Sequence, residues 1–215
     1  MRVLVACEFS GIVRDAFLAR GHDAWSCDLL PTEKEGPHIQ DDVLKHLNDG
    51  WDLMIAHPPC TYHTVAGNKY FYQRPKSYNP DNFYLEKRFK AREDARQFVI
   101  LLWSSNIPKI VLENPVGTLH EVIGKSSQII QPYMFGHDFS KKTCLWLKGL
   151  PPSNPLPIDK WVAPRIVIIN NNNYKRWNNQ SDKTGSDTTK RDKDRWKNRS
   201  RTFTGIAKAM AEQWG

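Results

Sequence analysis

The chain has four cysteines, at positions 7, 27, 60 and 144, and none belongs to a C-x-x-C pair. Closely paired Cys or His is what a structural zinc site needs, so no metal is expected. Cys7 and Cys27 sit in apolar runs, where a reduced, buried thiol is the ordinary state. No run approaches the ~20 apolar residues that cross a bilayer, and Met1 leads into a strand without a signal-peptide pattern. Those absences predict a cytoplasmic protein with no membrane partner. The dinucleotide fingerprint G-x-G-x-x-G is missing too, since Val13 and Arg14 stand where further glycines would follow Gly11. No internal repeat is visible. Acidic residues are in deficit, 23 against 31 Lys plus Arg, giving a net charge of +8. A basic balance suits a polyanion, because counterion release rewards it.

What is present is enough for one α/β domain and an insertion: 215 residues, 40% hydrophobic and 25% charged. Residues 2–7 read as a buried strand and 12–20 as a helix stopped by Gly21. Strands follow over 24–27, ending at Asp28, over 38–40, and over 51–56, ending at His57-Pro58-Pro59. Asp42 opens a helix through Leu47, residues 61–83 read as a long loop, and 85–105 as the longest helix. A strand over 109–112 delivers Glu113-Asn114-Pro115. Strands alternating with helices predict a doubly wound, mostly parallel, Rossmann-like sheet, which binds ligands at strand carboxyl ends. Residues 143–147 and 165–169 read as further strands and 204–214 as a helix. Between them, residues 170–200 carry nine Lys/Arg against four Asp, and read as a loop or a segment disordered until bound.

Four strand ends carry chemistry. Phe9-Ser10-Gly11 is a small turn opening a helix, able to expose backbone N–H groups to the carboxylate and sulfonium end of a cofactor. Asp28 is placed to bind ribose hydroxyls and Asp42 an adenine amino group; a helix cap is the other reading of each, less so for Asp28 than for Asp42. Cys60 follows two prolines at a strand end, and as thiolate it can add to carbon 6 of a pyrimidine. A following helix or a nearby Lys would favour that anion. Glu113 can hydrogen-bond cytosine N3 and its amino group, a task that favours a carboxyl pKa raised by burial.

The residues from Pro59-Cys60-Thr61-Tyr62-His63-Thr64-Val65 to Ala66-Gly67 resemble the P-C-Q-x-F-S-x-A-G segment of the DNA (cytosine-5) methyltransferase family, especially its short bacteriophage members. Glu113-Asn114-Pro115 resembles the E-N-V motif and Phe9-Ser10-Gly11 the F-x-G cofactor motif. Phe135-Gly136 with Lys141-Lys142-Thr143 resembles Y-G-x-x-Q-x-R-x-R, and Phe203-Thr204-Gly205-Ile206-Ala207 the C-terminal G-N-A segment. Thr61 stands for Gln, Pro115 for Val, and Lys141 and Thr143 for the two arginines. The resemblance implies an S-adenosylmethionine-type sheet and carbon-5 methylation of cytosine, with Cys60 as nucleophile and Glu113 as its partner. It implies a cofactor site of Phe9, Ser10, Gly11, Asp28, Asp42, Pro58, Gly205, Ile206 and Ala207. Asn114, Pro115, Lys141 and Thr143 would face the base.

The division expected is a catalytic domain over 1–150, a short basic insertion over 151–200 in the slot of a target-recognition domain, and a returning helix over 201–215. The insertion interleaves Lys175-Arg176-Trp177 and Arg195-Trp196-Lys197, a pattern suited to phosphates and stacked bases of duplex or single-stranded DNA. Its shortness leaves room for a protein partner in target recognition. The aromatics and Arg74 of the 61–83 loop would close over the site or pack within the loop. Three rivals stand beside this reading. One is methylation of an exocyclic nitrogen, for which His57-Pro58-Pro59-Cys60 is a distant match. The others are carbon-5 chemistry on a free nucleotide, and a non-catalytic nucleic-acid-binding protein.

Overall fold

Val3 to Ala6, Leu53 to Ala56 and Ile110 to Leu112 are wholly buried, so these strands need cover on both faces of a sheet. The computed structural model, which describes residues 1–71, 82–150, 156–158, 160–188 and 193–215, supplies it. Strands β1 (Arg2–Ala6), β2 (Asp23–Asp28), β3 (His38–Gln40), β4 (Leu53–Ala56) and β5 (Lys109–Pro115) all run parallel. Strand β7 (Thr143–Lys148) pairs antiparallel with β5, and β6 (Gln128–Ile130) antiparallel with β7. The seven-stranded order is β3-β2-β1-β4-β5-β7-β6.

One face is covered by α1 (Ile12–Leu18) and α6 (Thr204–Trp214), whose Val13, Phe17, Ile206, Met210 and Trp214 join Val3, Val5, Leu53 and Ile55 in one core. The other face packs Leu4, Met54 and Ile110 against Trp51, Ile107 and Leu102, the last from α3 (Asn82–Trp103). The sheet is α/β and mostly parallel as expected, but not cleanly doubly wound. A 3-10 turn, Val43–His46, replaces a crossover helix between β3 and β4, and the β6–β7 edge is antiparallel.

Two local expectations need correction. The 61–83 loop contains α2 (Val65–Asn68) and a 3-10 turn at Lys69–Phe71, while residues 72–81, Arg74 included, lie outside the described residues. Much of the segment 170–200 is folded. Strand β8 (Arg165–Ile169) turns at Asn170-Asn171 into β9 (Asn172–Arg176), and α5 (Arg195–Ser200) follows, after the short helix α4 (His120–Ile123) earlier in the chain. Asn170 and Asn171 take φ of 49° and 62°. That is the two-residue hairpin geometry Asn tolerates best after Gly.

Candidate active site

The sheet order reverses direction between β1 and β4, so the crevice for a ligand lies beyond the carboxyl ends of those two strands. Cys7 turns the chain there with φ 59°, in the left-handed region that non-glycine residues seldom use. Cys7, Glu8, Phe9 and Ser10 from the β1 end, His57 from the β4 end, and Ser200 and Thr202 from beyond α5 line a shared recess. Glu8 was not singled out in the sequence. It is buried, and its carboxylate accepts from Val13 N (2.7 Å), Arg14 N (3.2 Å) and Ser10 Oγ (3.0 Å). The helix start expected to receive a cofactor carboxylate is therefore taken by the chain's own Glu8. Gly11 holds φ 69°, and a Cβ there would sit 2.4 Å from the Arg14 guanidinium.

Arg14, standing where a fingerprint glycine would be, is fully buried. It donates to Ser26 Oγ, Thr32 Oγ1 and the carbonyls of Lys34 and Glu35, and so pins the segment after β2. Glu33, in that segment, makes a two-pronged ion pair with Arg201 at 2.7 Å to each carboxylate oxygen. Asp28 ends β2, and its Oδ1 accepts from Leu30 N (2.9 Å); burial raises its carboxyl. Asp42 accepts from Leu44 N (3.0 Å) as the cap of the 3-10 turn, the alternative weighed above.

Cys60 comes four residues after β4 and Glu113 lies in the last half of β5, its parallel neighbour. Burial pushes the Cys60 thiol up and the Glu113 carboxylate adds to that, while Lys141 and Arg199 pull it back without restoring the ordinary value. The anion is not favoured at rest, contrary to expectation, although Lys141 is the lysine anticipated nearby. For Glu113, burial acts upward, but the hydrogen bond to His57, the Lys141 charge and the Thr143 hydroxyl together hold it below the usual carboxylate range. That reverses the raised value expected, because the strand end supplies more compensation than burial removes. Lys141 Nζ also donates to the Arg199 carbonyl (2.9 Å), so α5 is tied to the same corner.

Asn114 is buried, and its amide donates to the Pro58 carbonyl (2.9 Å), fixing the Cys60 segment to β5; its Oδ1 has no partner. Pro58 is buried beside it, and Pro115 pairs with Thr143 in the sheet. The residues after Cys60 are fastened twice. His63 O accepts from Thr118 N (2.9 Å) and Val116 O from Val65 N (3.2 Å). Arg92 donates to Tyr62 O (2.9 Å) and Asn68 Oδ1 (2.7 Å), and Arg88 lies over the rings of Tyr62, Tyr70 and Phe71. These aromatics pack within the loop and on α3.

Other expected residues fall elsewhere. Ile206 and Ala207 are core residues, and Gly205 N donates to His137 Nε2 (3.0 Å), with room for no Cβ against Phe135 O. Trp177 is buried, stacked on Tyr133 at 4.1 Å between centroids, and donates to Val162 O. It cannot stack on a base without leaving that site. Lys175 is exposed on the hairpin, and Arg176 donates to the Lys175 carbonyl and lies over Tyr174. Arg195 opens α5, and its side chain lies outside the described residues.

Reasoning from the sequence missed His57 as well as Glu8. The His57 side chain is 8% exposed; Nδ1 lies 3.3 Å from Glu113 Oε2, and Nε2 is buried with no partner. Among the described residues, no cluster of three or more His, Cys, Asp or Glu could hold a metal, and no helix is long and apolar enough to cross a membrane.

No protein-family model matches the chain, and no curated protein matches it. A crystal structure of a prophage-encoded E. coli protein, proposed to be a DNA modification methyltransferase, is similar over 68% of this chain and 46% of its own, with 14% identity and a TM-score of 0.37. The chain thus spans about half the length of that protein, and a likeness so distant assigns neither activity nor family.

Proposed function

We propose that the chain is an S-adenosylmethionine-dependent methyltransferase that acts on carbon 5 of cytosine in DNA through a covalent Cys60 adduct. The observation that supports this reading is that Cys60, just after β4, lies near enough to Glu113 of the neighbouring β5 to feel its charge, beside the β1–β4 crevice. A nucleophile and a carboxyl on neighbouring strand ends can grip opposite edges of one flipped pyrimidine. The Cys60 thiolate forms a bond to carbon 6, and the ring electrons move toward carbon 5. N3 takes up a proton in this step through its contact with Glu113, whose carboxyl must first be protonated on binding the base, and Lys141 lies near both groups to offset charge. S-adenosylmethionine supplies the electrophilic methyl group. Loss of the carbon-5 proton and departure of Cys60 then restore the aromatic ring.

The donor is placed over the β1–β4 strand ends, where Cys7, Glu8, Phe9, Ser10 and His57 line a small recess, and because Glu8 fills the helix start the donor's own carboxylate must be held elsewhere. Phe9, Ser10, Gly11, Pro58 and Asp28 are the residues assigned to hold the donor, with Asp42 retained toward its base. Lys175 and the Arg195–Ser200 helix are assigned to the DNA backbone, in keeping with the net charge of +8.

DNA containing 5-fluorocytosine should be trapped on Cys60 when the donor is added, because fluorine cannot leave as the carbon-5 proton does. Cys60→Ser should abolish both the adduct and methylation. Methyl transfer by that variant at the wild-type rate would remove the proposal. Nucleoside mass spectrometry showing a methyl on the exocyclic nitrogen would favour the first rival, and binding to neither DNA form would favour a free nucleotide.

A further inference from the structure

We propose that the β8–β9 hairpin reads an A·T pair in the major groove of duplex DNA, through the cross-strand neighbours Asn173 and Ile168. The inference rests on the DNA-directed reading above and adds to it the residues that choose the sequence.

The hairpin is a two-stranded sheet of its own, with five residues in each strand. Cross-strand partners share a face, so Ile166 and Ile168 stand with Lys175 and Asn173 on one side of the ribbon. All four are exposed, Ile166 to 56% and Ile168 to 69%. Two β-branched side chains so open to water join no core of this chain. Beside them, the Asn173 amide bonds to nothing among the described residues, whereas the Asn172 amide is used on the Asn170 carbonyl (3.1 Å).

The order of charge along the ribbon points to its occupant. Residues 165–176 hold Arg165, Lys175 and Arg176 and no acid, and all three cations lie at the stem. Arg165 is paired with Asp182 (3.1 Å), which leaves Lys175 as the open phosphate contact. The tip, residues 170–173, is asparagine throughout. Cations at the stem and uncharged amides at the tip match a groove, where phosphates flank the mouth and base edges form the floor.

The major groove, about 12 Å wide, admits a two-stranded ribbon. Five residues of strand reach ~17 Å, ample for a floor ~8.5 Å deep. An Asn amide donates to adenine N7 and accepts from the adenine amino group, while an apolar side chain meets the thymine methyl. Asn173 and Ile168, directly opposite one another, offer both contacts to one base pair. In the minor groove the methyl is absent, and a single strand presents no paired edge.

The ribbon is also fixed relative to the catalytic corner. Buried Asn179 accepts from Ser140 N (2.8 Å) and donates to Ser140 O (2.9 Å), and Asn178 N donates to Asp138 Oδ1 (3.0 Å). Lys141, which acts on Cys60 and Glu113, follows directly. The A·T pair therefore lies at a set offset from the target cytosine.

A pool of duplexes randomised around one C·G pair, selected on the full chain and sequenced, tests this. Enriched duplexes should share an A·T pair at one offset, favoured about tenfold over other pairs. Asn173→Ala should keep the fold by circular dichroism and lose that preference, and Ile168→Ala should weaken it. Lys175→Ala should instead weaken all duplexes alike and lower the salt slope by about one. Enrichment without an A·T position, or an A·T position unchanged in Asn173→Ala, overturns the proposal. A dimer seen by light scattering and dissolved by Ile168→Asp gives the face to a second copy and overturns it as well. Binding to no duplex overturns it too, and the 5-fluorocytosine adduct on single-stranded DNA then shows whether the methylation reading survives alone.

Discussion

At Cys60 the decisive quantity is how charge is shared among groups that arrive from different strands. Burial and Glu113 raise the thiol, and Lys141 and Arg199 oppose them. Removing Lys141 therefore has a definite sign: in Lys141→Ala the thiol rises further, and the increase of iodoacetamide alkylation with pH moves to higher pH. An unchanged profile would mean that Lys141 does not govern the thiolate. The positions of Cys60 and Glu113 after apolar runs were legible in the sequence, and strand ends in parallel sheets are where ligands sit. Glu8 and His57 were not. A single acid after Cys7 and a histidine before two prolines acquire meaning only when β1 lies beside β4 and His57 reaches Glu113 across to β5. Asn114 shows the converse. The resemblance placed it against the base, and packing also gives its amide to the Pro58 carbonyl.

At the scale of elements, the parallel strands β1 to β5 announced themselves through length and apolar content, while β6, of three residues, offers too short a pattern to read. The polar β9 hid within an Asn- and Lys-rich stretch; the available signal was Asn170-Asn171 directly after the β-branched run of β8. The strap after Cys60 is the element whose position matters most to the site. Gly117 lies so near it that a Cβ would stand 1.9 Å from His63 O, a backbone atom with nowhere to move unless the strap shifts. Gly117→Ala should lower stability by about 1–3 kcal/mol, in the range of overpacked positions. It should also accelerate Cys60 alkylation as the strap loosens, which denaturant melts and thiol-reaction rates would measure. Equal stability and equal thiol reactivity in the variant would show that the strap does not restrain Cys60.

For the molecule as a whole, the hairpin is joined to the main body through Trp177 on Tyr133, with Trp161 edge-on to the same ring. Trp177→Ala should cost about 3–5 kcal/mol, as large aromatic truncations in packed sites do. Protease cleavage between 165 and 188 should increase well before the sheet unfolds. Loss of DNA binding with stability and protease resistance intact would instead restore the sequence-based view of Trp177 as a stacking platform. The overall basic charge was plain in the composition, but which aromatic residues are free to meet a base was not, because packing decides it.

The ion pair between Glu33 and Arg201 joins residues 168 apart, and the recess beside it takes walls from both Cys7–Ser10 and Ser200–Thr202. In time, then, the site is assembled late. The β1 turn and His57 leave the ribosome long before Ser200 and Thr202. Until Thr202 has emerged and settled, the recess at the end of β1 lacks a side, although every strand beneath it has already been made.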